Sequence, residues 1–253
     1  MDKQLGLLHV PKTGGTSMHQ SSACKYFGHR VVIDEPNVNN PIYAHKEDQV
    51  WHFNNSVIPR SDLDSIKMLV IVRNPYSWLL SWFDFMDGFG PFDPKRDTPE
   101  TRLAQTGFES FVDKIITRDD YWPNKKFIFF QMFALPSGNL IVDHILHTEN
   151  LNKEFDNITG YRGEHRNYQL GKRHGRDLTT GKWYDKHPGL AERVFDTYHR
   201  EFLLYGYSRD PHHEEHCEKD AILTGNVVDK KGHVDYNLAD DILNVDQLEF
   251  PGK

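Results

Sequence analysis

The sequence is poor in cysteine and has no long uninterrupted apolar segment. Its two cysteines, Cys24 and Cys217, are too few for a disulfide framework, although a single bridge stays open. Such sparse use of cysteine favours a reducing compartment. No stretch approaches the roughly 20 apolar residues of a membrane-spanning helix, and the first residues lack the basic start and apolar core of a secretory signal. We therefore expect a cytoplasmic protein without a membrane partner.

Positive charge is also in deficit. The chain carries 30 lysines and arginines against 37 acidic residues, a formal net charge of −7. This balance argues against a nucleic-acid partner, which normally requires a basic face. It still allows a local basic pocket for an anionic cofactor. With 253 residues, of which 38% are hydrophobic, the chain is long enough to bury a sizeable core.

Short apolar runs alternate along the chain with segments of helical periodicity. Residues 5–10 (LGLLHV) and 67–72 (KMLVIV) predict buried strands, and residues 31–33 and 140–146 predict weaker ones. Helices are predicted from about Met18 to a stop at Gly28, from Pro75 after an Asn74 N-cap, from a Thr106–Glu109 capping box, and from about Pro188. This order predicts an α/β fold with a central, mainly parallel sheet flanked by helices. We expect one domain over residues 1–210, with residues 211–253 as an extension packed on it.

The first candidate motif is the segment 12–17 (KTGGTS), which lies between a predicted strand and a predicted helix. Backbone N–H groups at a helix start bind anions, and glycines let a ligand approach the backbone closely. Lys12 adds a positive charge, and Thr16 and Ser17 add hydroxyl donors. In a Walker A loop the lysine follows the glycines, whereas here it precedes them, which weakens an ATPase or GTPase interpretation. An ordinary glycine turn remains the simpler alternative.

The second candidate motif starts with Arg73 at the end of a predicted strand. Ligands of α/β sheets usually bind at the carboxyl ends of the strands. Ser81 lies eight residues further on, about two turns into the following helix. Taken alone, the motif would more readily be an arginine paired with a carboxylate and a solvated serine, because surface ion pairs are common.

Together, the two motifs resemble the nucleotide-binding signatures of sulfotransferases that use 3′-phosphoadenosine 5′-phosphosulfate (PAPS). The similarity is closer to the branch related to carbohydrate sulfotransferases of the heparan sulfate 2-O type, in which His-x-Pro-Lys-Thr/Ala-Gly-Gly-Thr-Ser is typical. Residues 9–17 (HVPKTGGTS) fit that pattern position by position. Looser similarity at residues 148–151, 165–176 and 205–207 extends the resemblance over about residues 5–208. Trp78 departs from the pattern, since the family often has arginine there.

The resemblance implies a three-layer fold like that of the P-loop NTPases and transfer of a sulfuryl group from PAPS to an acceptor hydroxyl. The product would be 3′-phosphoadenosine 5′-phosphate (PAP), and no metal would be required. Residues 12–17 would hold the 5′-phosphosulfate, Arg73 and Ser81 the 3′-phosphate, and the basic loop around residue 172 would contribute further contacts. The implied cofactor ligands are Lys12, Thr13, Gly14, Gly15, Thr16, Ser17, Arg73, Ser81, Lys172 and Arg173.

The implied reaction has two catalytic side chains. Lys12 would stabilise charge on the bridging oxygen as its bond to sulfur breaks. The acceptor hydroxyl needs a general base, and we assign His45, because the family places its catalytic histidine between the two cofactor motifs. His52 and the acids Glu47 and Asp48 remain alternatives.

Several alternatives stay open at this point. A nucleotide kinase on a similar fold and a non-catalytic nucleotide-binding protein are the competing functions. The acceptor is expected to be a sugar or a soluble small molecule, and the aromatic segment 78–92 would either line its pocket or form ordinary core. A histidine cluster at His212, His213, His216 and Cys217 could ligate zinc, but its spacing matches no standard site. We therefore expect a solvated segment there.

Overall fold

The computed structural model describes the parts of the chain that contain the sheet and its principal helices. The described residues are 4–10, 12–14, 27–32, 49–51, 57–59, 66–88, 98–117, 128–130, 133, 140, 142–159, 177–217, 221 and 223. The strands are β1 (Gln4–His9), β2 (Phe27–Val32), β3 (Gln49–Trp51), β4 (Val57–Pro59), β5 (Ile66–Val72) and β6 (His144–His147). The helices are α1 (Pro75–Asp87), α2 (Pro99–Ala104), α3 (Phe108–Thr117), α4 (Leu151–Thr159), α5 (Thr180–Asp185) and α6 (Leu190–Leu204), with a 3-10 turn at Thr148–Asn150 before α4.

Four strands form one parallel sheet in the order β2-β1-β5-β6. In the register, Leu8 is opposite Val70 and Val72 is opposite His147. Strands β3 and β4 form a separate antiparallel pair. Because β1 and β5 are parallel neighbours, the segments that leave their carboxyl ends emerge side by side. The α/β class predicted from the alternating pattern is therefore confirmed.

The two faces of the sheet bury different side chains. Leu8, Val70 and Val72 pack into a large aromatic-rich cluster with α1, α3 and α6. Leu7 and Ile71 pack on the other face with residues of α4. All five side chains are at most 1% exposed, as expected for parallel strands that are covered on both sides. This two-sided burial explains why both strands read as continuous apolar runs.

Four details of the prediction were wrong. Phe27 and Gly28 belong to β2 and do not end a helix, since they extend the strand that pairs with β1. Strand β6 covers His144–His147 instead of 140–146. Helix α3 begins at Phe108, so Gly107 and not Thr106 stands at its N-cap position, and the Thr106 hydroxyl donates to the Leu103 carbonyl (2.7 Å). The stretch rich in Gly, Pro and Asp over residues 87–100, expected to be a loop, ends in the first residues of α2, and the capping box forms there at Thr98 and Thr101.

The last helix, α6, buries the face that its periodicity predicts. Its inward residues are Leu190, Val194, Phe195, Tyr198 and Phe202, none more than 6% exposed. After α6 the chain folds back: Tyr207 and His216 form a β-bridge, and the backbone N–H of Leu223 donates to the carbonyl of Leu204. Within the described ranges, no helix has both the length and the hydropathy to cross a membrane.

Candidate functional site

The turn after β1 has an uncommon backbone. Lys12 (φ 67°) and Gly14 (φ 96°) both adopt positive φ angles, a region that side chains other than glycine seldom enter. Between them, buried Thr13 donates its hydroxyl to the carbonyl of Val10 (2.8 Å). A Cβ on Gly14 would lie 3.3 Å from the Leu151 side chain. Glycine is thus required here for its conformation and for the close approach of α4.

Arg73 lies at the carboxyl end of β5 and connects the two candidate motifs. Its Nη1 donates to the Lys12 carbonyl (3.2 Å), and its Nε donates to the Ser77 hydroxyl (2.9 Å). These bonds use two of the five N–H donors of a guanidinium. Burial lowers the pKa of Arg73 and the charge of Glu149 opposes this effect. A guanidinium nevertheless stays protonated in proteins. Its remaining donors suit an anionic ligand.

Helix α1 presents a stripe of two serines and a phenylalanine to this region. Its start follows the predicted capping: the Asn74 side chain accepts from the Tyr76 backbone N–H (2.9 Å), and Pro75 occupies the first helical position. Ser77, Ser81 and Phe85 recur four residues apart and share one face. Ser77 contacts Arg73, and the Lys12 Nζ lies 4.2 Å from the centre of the Phe85 ring. Ser81 therefore lies on the stripe between the arginine and the lysine.

Residues 148–151 brace both loops from the neighbouring strand β6. The Thr148 hydroxyl lies 2.7 Å from the Thr13 carbonyl oxygen and 2.9 Å from that of Val72. Glu149 accepts the backbone N–H of Asn74 (3.0 Å). Leu151 lies beneath Gly14. This short segment thus joins the β1 turn, the end of β5 and the start of α1.

The segment after α6 completes the region from a third side. Tyr207 donates its hydroxyl to the second carboxylate oxygen of Glu149 (2.9 Å). The Asn74 side-chain amide donates to the Glu214 carbonyl (3.5 Å). Burial raises the pKa of Glu149, while the hydrogen bond from Asn74 and the charge of Arg73 act in the opposite direction. A half-buried carboxylate is therefore held close to the candidate anion site.

One group of side chains has the composition of a metal site. Ligand atoms of His147, Glu154 and His216 lie within 4.8 Å of one another. The two imidazoles are stacked, with centroids 3.6 Å apart and planes 8° from parallel. The His147 Nδ1 is 3.2 Å from the Glu154 carboxylate, and the His216 Nδ1 is 2.5 Å from the Tyr205 carbonyl oxygen. Because in-plane lone pairs on parallel rings do not converge, the group fits a hydrogen-bonded stack better than a metal centre.

The histidines at 212, 213 and 216 do not form one cluster among the described residues. His212 is paired with Asp185 (3.0 Å) and His213 with Asp210 (2.9 Å), both exposed. The expectation of a solvated segment holds for these two. His216 is an exception, since it is half-buried against His147.

The structure brings part of the predicted site together. Lys12, Thr13, Gly14 and Arg73 lie close together, and Ser81 lies on the stripe of α1 whose Ser77 contacts Arg73 and whose Phe85 contacts Lys12. Trp78 is 2% exposed and packs on Trp82 and Phe129, so it belongs to the core. The other predicted residues lie outside the described residues: Gly15, Thr16, Ser17, His45, His52, Lys172 and Arg173.

Sequence reasoning missed several residues of this region. Ser77 had a usable signal, since it lies four residues from both Arg73 and Ser81. Phe85 continues the same spacing. Thr148 and Glu149 stand in a segment that resembles a family element, but neither residue type nor spacing indicated which loops they contact.

Comparisons with known proteins found no relative of this chain. No protein-family model, no curated protein and no solved structure matches the chain.

Proposed function

We propose that this chain is a sulfotransferase that transfers the sulfuryl group of PAPS to a hydroxyl group of a sugar or a soluble small molecule. One observation carries the proposal: a glycine turn with a lysine and a strand-end arginine lie side by side, joined by the bond from Arg73 Nη1 to the Lys12 carbonyl (3.2 Å). Two cationic side chains at adjacent carboxyl ends of a parallel sheet suit a ligand with two anionic groups. PAPS carries such groups on the 5′ and 3′ positions of its ribose.

The proposed roles follow this geometry. Arg73, together with Ser81 on the stripe of α1, binds the 3′-phosphate, and the β1 turn with Lys12 binds the 5′-phosphosulfate. This arrangement belongs to the P-loop-like, three-layer architecture that the resemblance implies; helices on both faces of the parallel sheet agree with it. The nucleotide needs no metal in this scheme, because protein cations and backbone N–H groups neutralise its charge.

The proposed transfer is an in-line displacement. The acceptor oxygen forms a bond to sulfur while the bond from sulfur to the bridging oxygen breaks, and the electron pair stays on the 5′-phosphate of PAP. Lys12 stabilises this developing charge. The acceptor proton passes to a general base, for which His45 is the candidate. In the present conformation the Lys12 ammonium rests on the Phe85 ring, from which it must turn toward the nucleotide.

The direct test is calorimetric titration of the chain with PAP and, separately, with ATP and Mg²⁺. Wild type, Arg73→Ala and the control Arg193→Ala are compared. Arg193 forms exposed ion pairs with Glu109 and Asp113 on the helical side of the domain, so its loss removes an arginine without touching the site.

We expect PAP to bind wild type and the control equally and to bind Arg73→Ala about 10- to 100-fold more weakly. This range corresponds to losing charge-assisted hydrogen bonds of about 1.5–3 kcal/mol. Preferential binding of ATP–Mg²⁺ would favour a kinase and reject the sulfotransferase. Tight PAP binding with no transfer to any acceptor would favour a non-catalytic nucleotide-binding protein.

A further inference from the structure

The carboxylate of Glu149 makes contacts with two different parts of the nucleotide region. One oxygen accepts the backbone N–H of Asn74, the residue after Arg73 (3.0 Å), and the other accepts the hydroxyl of Tyr207 (2.9 Å). The side chain is half-buried and has no direct ion pair with Arg73 within the described residues. One oxygen therefore holds the loop that carries the arginine, and the other ties Glu149 to the segment after α6.

We infer that Glu149 is a positioning residue for the 3′-phosphate, which holds the Arg73 loop in place and takes up a proton when the phosphate binds. The inference rests on the proposed function, since it takes PAP as the ligand.

The charges around Glu149 give the physical reason. Without a nucleotide, the Arg73 cation favours the ionised carboxylate, while burial opposes it. Tyr207 and Glu214 face the same region from the segment after α6, and the Lys12 ammonium is directed at Phe85. A dianionic phosphate on Arg73 neutralises the cation that, among the described residues, favours the carboxylate, and it adds negative charge beside Glu149. Protonation of Glu149 relieves that repulsion.

Substitution of Glu149 with glutamine distinguishes a purely structural role from proton uptake. In Glu149→Gln the amide oxygen can still accept from the Asn74 N–H, and the amide nitrogen can donate to the Tyr207 oxygen. The framework is thus conserved and only the ionisable group is lost. The matched control is Glu154→Gln, which removes a carboxylate near the same sheet edge that is hydrogen-bonded to His147 and not to either loop.

The experiment is calorimetric titration with PAP in Pipes and in Tris at several pH values from 6 to 8. The difference in enthalpy between the buffers gives the number of protons taken up. We expect wild type and Glu154→Gln to take up more protons than Glu149→Gln. By linkage, wild-type affinity should then fall between pH 6 and 8 about threefold or more beyond the fall in Glu149→Gln. Proton changes of the phosphate itself are common to all variants and cancel.

A second variant keeps the test decisive if Glu149→Gln does not fold. Tyr207→Phe removes one donor to the carboxylate, so the proton uptake should move to higher pH. Equal uptake and equal pH dependence in wild type and Glu149→Gln, or an unchanged profile in Tyr207→Phe, would overturn the inference while leaving the sulfotransferase proposal intact. Failure of wild type to bind PAP would reject both.

Discussion

The buried carboxylate of Glu201 offers a test of stability that does not depend on any ligand. Glu201 is 0% exposed, and one of its oxygens accepts the backbone N–H groups of Ile128 (2.5 Å), Phe129 (2.7 Å) and Phe130 (3.2 Å). The side chain thus anchors residues 128–130 against α6. Burial raises the pKa of Glu201 from 4.5 to about 7, although the three hydrogen bonds act against this shift.

The sign of the pH effect follows from which state binds the proton more tightly. The folded state holds it up to about pH 7, whereas the unfolded state releases it near pH 4.5. The stabilisation by the neutral carboxyl is therefore complete below pH 4.5 and is lost as pH rises through about 7. At about 1.4 kcal/mol per pKa unit, the whole effect is on the order of 3 kcal/mol, of which about 2 kcal/mol falls between pH 5.5 and pH 8.

The perturbation is Glu201→Gln, whose amide oxygen can accept the same three N–H groups without ionising. Urea unfolding of both proteins at pH 5.5 and pH 8 gives their free energies of unfolding. We expect the stability of the variant relative to wild type to increase by about 2 kcal/mol between these pH values. All other titrating groups are common to both proteins and cancel. Parallel stability profiles would refute a carboxyl that is neutral in the folded state.

Four further outcomes are expected from the same structure. Gly14→Ala places a side chain at φ 96° and 3.3 Å from Leu151, so we expect a loss of about 1–2 kcal/mol in unfolding free energy and weaker PAP binding by calorimetry. Phe85→Leu removes the ring beneath the Lys12 ammonium, a contact worth about 0.5–1 kcal/mol. PAP affinity should therefore change by less than about fivefold, and a complete loss of binding would show that the contact is more than a minor one. Gly206→Ala would bring a Cβ within 2.2 Å of the Cys217 carbonyl at φ 64°, so the melting temperature should fall by several degrees; an unchanged value would mean that the segment after α6 is not docked as described. Zinc or EDTA should leave the melting temperature unchanged, and a clear rise with zinc would show that the imidazoles of His147 and His216 rearrange to bind metal.

The class of the fold could be predicted because its central strands are buried on both faces. Such burial produces the uninterrupted apolar runs of β1 and β5, which can be recognised from a short window of sequence. Helices α1 and α6 were predictable from their apolar spacing, and α1 also from the Asn74–Pro75 start. Strand β2 was harder, since Phe27–Val32 (FGHRVV) mixes polar and apolar residues. Its strand character comes from pairing with β1, which local sequence does not record.

The candidate site also has parts that local sequence could predict and parts that it could not. Lys12 and Arg73 could be expected to meet, because they follow adjacent parallel strands and such strands end at one edge of the sheet. The stripe of Ser77, Ser81 and Phe85 could also be derived, since it needs only the spacing of a helix. Trp78 lies one residue from this stripe, yet its ring is in the core, because a step of about 100° along a helix changes the face that a side chain occupies.

The contacts that fix the two loops relative to each other could not be derived from local pattern. Thr148 meets Thr13 across 135 residues of chain, and Glu149 meets Asn74 across 75 and Tyr207 across 58. A single hydroxyl and a single carboxylate carry these contacts, and neither has a periodicity that would reveal its partner. They form only once the sheet has brought β6 beside β5, so the positions of Lys12 and Arg73 depend on the folded sheet as a whole. The spacing between the two cations is therefore a property of the domain, although each cation alone is visible in its own motif.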